Sequence, residues 1–309
     1  MRPCGALILA GFLVCGSFIG RAQVTYTNTT SDDAFLASGS PTNPTGTNLT
    51  AENFGAAGVL YLAPASSPNG EYQSVLKFDL SGATNLFDAT YGNRWVISAI
   101  SLVFTANFGT AGSQPDNLMF NPINGGNFVI EWIGNDDWVE GTGRPRAPTM
   151  DGVTYAGIPS LLTNGTAILS TNTYAPAGDN IPVTWRLPLN PNMVNDVVQG
   201  GPVSFRLFAT DNQISYLFNS HDYGNGNQPL ILVTAIPLLK ILSGSFTNGL
   251  FHLIGIGGAN LQYQVQASSD LTTTNWQTLG TATADGTGTI QFDDVAATNF
   301  HQKYYRLSR

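Results

Sequence analysis

The sequence has little cysteine, little charge and little histidine. Cys4 and Cys15 are its only cysteines in 309 residues. Both lie in an N-terminal stretch that reads as a leader, so the rest of the chain can form no disulfide and offers no thiolate to a metal or a substrate. Charged residues are 10% of the total, far below the usual ~25%. That excludes a coiled coil and a charged disordered tail. Lys and Arg number 12 against 20 acids, a formal net charge of −8. A polyanion is repelled on average, so nucleic acid is not an expected partner. The three histidines, His221, His252 and His301, are scattered. No His-x-x-x-His pair exists to hold a catalytic zinc, and no Cys/His pair exists for nucleophilic chemistry.

What is plentiful is Gly (34), Pro (17) and aromatic residues (11%), the composition of an all-β, loop-rich, exported protein. Arg2 precedes an apolar run from Ala6 to Phe18, followed by Ile19-Gly20-Arg21-Ala22. A cut after Ala22 places small residues at both positions that a secretory peptidase reads. Residues 1–22 are therefore expected to be a signal peptide and the protein to be secreted or at the cell surface. The apolar run is shorter than the ~20 residues of a membrane span. Val14, where a small residue would precede a lipidated Cys15, argues against a lipoprotein.

Short alternating runs separated by turn residues predict strands. Leu76, Phe78 and Leu80 share one face, as do Ile100, Leu102 and Phe104; Phe128, Ile130 and Trp132; and Val203, Phe205, Leu207 and Ala209. Only Pro191–Val198 reads as helical, with Pro191 as starter and Gly200-Gly201 as stop. Such strands predict an antiparallel sandwich or barrel. A boundary near Pro237 leaves two domains, 23–237 and 238–309. The second has its own small core in Phe251, Leu253, Tyr263, Val265, Trp276, Ile290 and Tyr305.

Residues 30 to 236 resemble the DNRLRE-type domain, also described as a carbohydrate-binding module of family ninety-six. The resemblance rests on an ordered set of pieces. They are Asp33-Ala34-Phe35-Leu36, Asn53-Phe54-Gly55, Leu76-Lys77-Phe78-Asp79-Leu80, Trp138-Val139-Glu140-Gly141, and Ser220-His221-Asp222-Tyr223 with Gln228-Pro229. The family's late motif usually reads Ser-Arg-Glu, where His221 and Asp222 stand here. The resemblance implies a jelly-roll-like β-sandwich on an exported bacterial protein, often beside polysaccharide-degrading enzymes. The C-terminal 70 or so residues look like a small Ig- or fibronectin-like sandwich found at the ends of exported proteins in Verrucomicrobia-like bacteria, an expected route to surface association.

The expected function is non-catalytic binding of polysaccharide through an aromatic and Asn-rich loop surface. Its candidate residues are Tyr155, Tyr216, Asn219, His221, Tyr223 and Asn225, with Trp95 and Trp185 as further platforms. Sugar binding needs apolar ring faces and planar polar groups. Asp33, Asp211 and Asp222 are candidate ligands for a structural calcium, a hard cation that takes several oxygens. Asp136, Asp137 and Glu140 form the densest acidic cluster, read as a solvated turn that Trp138 anchors rather than a glycosidase pair. Two rival readings are a polysaccharide lyase built on His221, Tyr223, Asn219 and Arg206, and a structural matrix protein with no small ligand.

Overall fold

The computed structural model describes residues 23–40, 48–67, 69–107, 126–174, 181–212, 214, 216–224, 226–272 and 275–308. The expected leader with both cysteines, Asn225, and most of the glycine-rich turns at 106–112 and 121–126 lie outside these residues. The fold is an all-β sandwich built from antiparallel sheets.

In chain order the elements are β1 (Val24–Thr29), β2 (Asp32–Ala37), β3 (Val59–Leu62), β4 (Tyr72–Asp79), α1 (Ser81–Tyr91), β5 (Trp95–Thr105), β6 (Gly126–Ile133), α2 (Ile158–Leu161), β7 (Thr166–Tyr174), β8 (Pro182–Leu187), α3 (Pro191–Gln199), β9 (Pro202–Ala209), β10 (Tyr216–Asn219) and β11 (Leu230–Pro237). There follow β12 (Lys240–Thr247), β13 (Leu250–Ile256), β14 (Gln262–Ser268), β15 (Gln277–Thr283), β16 (Thr289–Asp294) and β17 (Tyr304–Ser308). No helix among the described residues is long and apolar enough to cross a membrane.

Backbone packing divides the chain into two compact units, one of 25–84 with 99–233, the other containing 85–98 with 234–309. The first holds a five-stranded sheet in the order β2-β4-β9-β6-β7 and the pair β10-β3, and most of a four-stranded sheet ordered β1-β11-β5-β8. Alternation sets the core. Leu76, Phe78, Phe205, Leu207, Phe128 and Ile130 are fully buried from the five-stranded sheet, and Ile100, Leu102 and Phe104 from β5. Phe128 meets Trp185 of β8 edge-on with centroids 5.6 Å apart, and Phe104 meets Phe218 of β10 at 5.5 Å. These contacts join the layers.

The opposite face of the five-stranded sheet is covered by the 134–165 connection between β6 and β7. Ala34, Leu36, Val75 and Ile133 pack there against Trp138, Val153 and Leu161.

The second unit contains two three-stranded sheets, β12-β13-β16 and β15-β14-β17. They close over Phe251, Leu253, Tyr263, Val265, Ile290 and Tyr305. Phe251 and Tyr305 stack at 4.5 Å.

Helix α3 forms where the sequence places it. Asn190 caps it, accepting from the N–H groups of Asn192 and Met193, and Gly200 ends it at φ 69°. Helix α1 is not expected from the sequence. Its Gly82 and three threonine or asparagine residues have weak helix propensity, but Ala83, Phe87 and Tyr91 recur every four residues and are all buried, so packing decides its conformation.

Candidate functional site

The 134–165 connection has almost no regular structure, so its backbone polar groups need side-chain partners. Asn53, fully buried, supplies them. Its Nδ2 donates to the carbonyls of Glu140 (2.6 Å) and Val153 (2.8 Å). Its Oδ1 accepts from the N–H groups of Gly55 (3.1 Å) and Gly143 (3.0 Å). A Cβ at Gly143 would run into the Asn53 carbonyl, and Gly141 holds φ 83°. Trp138 is the second anchor. Its indole N–H donates to Ser204 Oγ (3.0 Å), and Lys77 Nζ lies 4.7 Å above its ring while donating to the Trp138 carbonyl (2.7 Å). The expected role of Trp138 as an anchor agrees with this packing.

Outside these anchors the connection forms an open cleft of about 490 Å³. Trp138, Val153 and Leu161 floor it. Asn135, Asp137, Asp151, Thr154 and Ser160 supply polar groups, and the exposed Val139 and Met150 flank them. Among the described residues no Lys or Arg lines it. Asp151 accepts from Thr149 Oγ1, Thr142 N–H and Thr142 Oγ1, which hold its carboxyl down to a pKa of about 2. Asp136, beside Asp137, is shifted the other way by burial, and its Oδ1 has no hydrogen-bond partner.

A second cluster joins three distant segments. Asp33, fully buried near the start of β2, accepts on Oδ2 from Thr30 Oγ1 (2.9 Å) and from the N–H of His221 (2.8 Å). Its own N–H donates to Glu140 Oε1 (3.0 Å). His221 Nδ1 lies 3.1 Å from Glu140 Oε1 and 3.6 Å from Asp33 Oδ2. It is close to both and aligned on neither, so Nδ1 makes no hydrogen bond; nor does Asp33 Oδ1. The carboxylates of Asp33 and Glu140 hold the imidazole's pKa up to about 10 against its burial. Glu140 is itself pushed up by burial. Asp222 Oδ1 lies 3.5 Å from the ring's other nitrogen.

The residues singled out from sequence are dispersed. Asp33, His221 and Asp222 come together, joined by Glu140, which the sequence suggests only as part of an acidic turn. Asp211 is elsewhere, accepting from the N–H groups of Asn127 (2.7 Å) and Ile214 (3.2 Å). Tyr216 is fully buried, its hydroxyl donating to the Gly126 carbonyl (3.1 Å). Asn219 is buried and donates to the Asn227 carbonyl (3.2 Å). Trp185 belongs to the core. Trp95 donates to Asp88 Oδ1 (2.7 Å). Tyr223 is half-buried in the turn after His221.

Tyr155 is also half-buried and donates to Glu71 Oε2, which with burial raises its phenol to a pKa of about 12. It belongs to the covered sheet face, where Arg206 pairs with Glu131 at 2.6 Å and lies 4.5 Å above Phe208. Arg206 cannot join His221 there. It shares a row with Val75, Ala34 and Glu131, while Asp33 belongs to the neighbouring row with Leu76 and Phe205. Adjacent rows point to opposite faces. The sequence gives no local signal for Asn53; only its place beside Phe54 and Gly55 in the family pattern draws attention to it.

No family model and no curated protein matches the sequence. Among solved structures, the β-D-glucuronidase of Dictyoglomus thermophilum is 9% identical, with 91% of this chain and 39% of that one covered and a TM-score of 0.21. The Ruminococcus gnavus β-glucuronidase is 7% identical, with coverages of 95% and 46% and a TM-score of 0.22. A three-domain segment of native Escherichia coli alpha-2-macroglobulin is 11% identical, with coverages of 88% and 90% and a TM-score of 0.16. This chain spans less than half the length of either glucuronidase. At these scores the likenesses carry no inference about its activity.

Proposed function

We propose that the protein is an exported, non-catalytic β-sandwich that binds a neutral polysaccharide in the cleft of the 134–165 connection. The observation that carries this reading is the cleft itself. It sets carboxylates, an amide and hydroxyls around an apolar floor, the combination that reads sugar hydroxyls while packing against C–H faces. Its volume lies within the range of about 300–1,000 Å³ usual for small-ligand sites. The described lining, with Asp137 and Asp151 and no basic side chain, favours a neutral polymer over a uronate. The resemblance of residues 30–236 to the DNRLRE domain, and the leader, support export and glycan binding. The inward packing of Tyr216, Trp185 and Asn219 removes them from the loop surface first expected to stack on sugars. That same packing favours the second reading, a structural surface protein without a small ligand.

Electrophoresis of the purified protein through gels carrying xylan, mannan, β-glucan or alginate separates these readings. Retardation by at least one neutral polymer, not by alginate, is expected. Asp137→Ala should weaken it about tenfold, the loss of one hydrogen bond to a charged group. Mobility unaffected by every neutral polymer would leave the structural reading. Shortened or unsaturated polymer after incubation would establish an enzyme instead.

A further inference from the structure

We propose that Asp33, Glu140 and His221 form a binding site for a divalent cation of the zinc type, which ties the start of β2 to the segments following β6 and β10. None of the three residues lines the cleft, and the proposal does not depend on glycan binding.

The argument is geometric. One atom from each of the three side chains lies within 4.8 Å of the other two. The Nδ1–Oε1 and Nδ1–Oδ2 separations, 3.1 and 3.6 Å, bracket the edge of about 3.3 Å expected between ligands in a tetrahedron with bonds of about 2.0–2.1 Å. Two atoms of the cluster make no hydrogen bond. Asp33 has no exposed surface, yet its Oδ1 accepts no hydrogen bond. Nδ1 of His221 aligns on neither carboxylate although both are near. A buried carboxylate with an oxygen that no donor meets is costly, and a cation beside Asp33, Glu140 and His221 would balance the two negative charges and set a counter-charge against that carboxylate.

The donor set also selects the ion. Calcium takes six to eight oxygens; here one of three donors is an imidazole, and the site is compact. Imidazole with carboxylates suits zinc and its neighbours. Asp222, near Nε2, is placed to orient the ring from outside, as carboxylates do for metal-bound histidines. The ligands are separated by 107 and 188 positions in sequence, so the ion would cross-link distant parts of one sandwich.

Chelator-treated protein titrated with zinc chloride, and separately with calcium chloride, tests this. One zinc per chain, at least 100-fold tighter than calcium, is expected, with a rise in the unfolding temperature. Glu140→Gln and His221→Gln should each weaken zinc binding at least tenfold. Cobalt(II) added to the unaltered protein should give the strong visible absorption of a four-coordinate site, a readout needing no variant. Zinc binding that is absent, matched by calcium, or unchanged in both variants would overturn the proposal and leave His221 as a protonated strut between two carboxylates. Bound cobalt with only the weak pink absorption of a six-coordinate ion would overturn it too.

Discussion

At the scale of single residues, the 134–165 connection depends on Asn53 more than on any apolar contact. One amide satisfies two carbonyls and one N–H group 87–100 positions away, together with the neighbouring Gly55 N–H. Truncation leaves several buried polar groups unpaired, each costing about 1–3 kcal/mol. Asn53→Ala is therefore expected to lower stability by at least about 3 kcal/mol, measured by urea unfolding, and Asn53→Asp to fare little better, since a carboxylate has no N–H for the two carbonyls. Little of this is legible in the sequence, where Asn53 stands out only by its place beside Phe54 and Gly55 in the family pattern. Glu140 was visible as an acid beside an anchoring tryptophan, but its meeting with Asp33 and His221 depends on strand pairing across more than a hundred residues.

At the scale of elements, legibility follows periodicity. The alternating runs of β4, β5, β6 and β9 are strands with the expected residues inside, because period-two patterning fixes which side chains share the core face. Helix α3 was marked by its start and stop residues. Helix α1 was not, since its three buried residues are embedded among poor helix formers and only tertiary packing selects the conformation. The difference makes a prediction. Removing the cap of α3 by Asn190→Ala should cost about 1 kcal/mol, while Phe87→Ala in α1 should cost about 3–5 kcal/mol. Equal losses in chemical denaturation would mean that α1 is not held by its buried face. Gly143→Ala belongs to the same scale. With no room for a Cβ beside Asn53, it should loosen the whole connection and abolish retardation by polysaccharide.

At the scale of the whole molecule, the second unit carries a buried salt link of its own. Lys303 Nζ donates to buried Asp294 (2.6 Å), and Tyr305 donates to the same oxygen (2.9 Å). Burial alone would raise the Asp294 pKa, but these donors and the Ala296 N–H more than offset it, so the carboxyl titrates below its ordinary value. The sign follows. Asp294 contributes stability that is complete above pH 4 or so and is lost as pH falls through the lower, folded-state pKa. The urea midpoint should drop from about pH 4.5 towards pH 2.5. In Asp294→Asn it should start lower, because a buried lysine is left unpaired, and vary less over that range.

The central claim concerns where a neutral polysaccharide would be held. Hydrogen–deuterium exchange of the protein with and without a retarding polymer tests it directly. Protection confined to amides between 135 and 161 is the expected result. Protection centred instead on 216–228, or none at saturating polymer, would contradict the account.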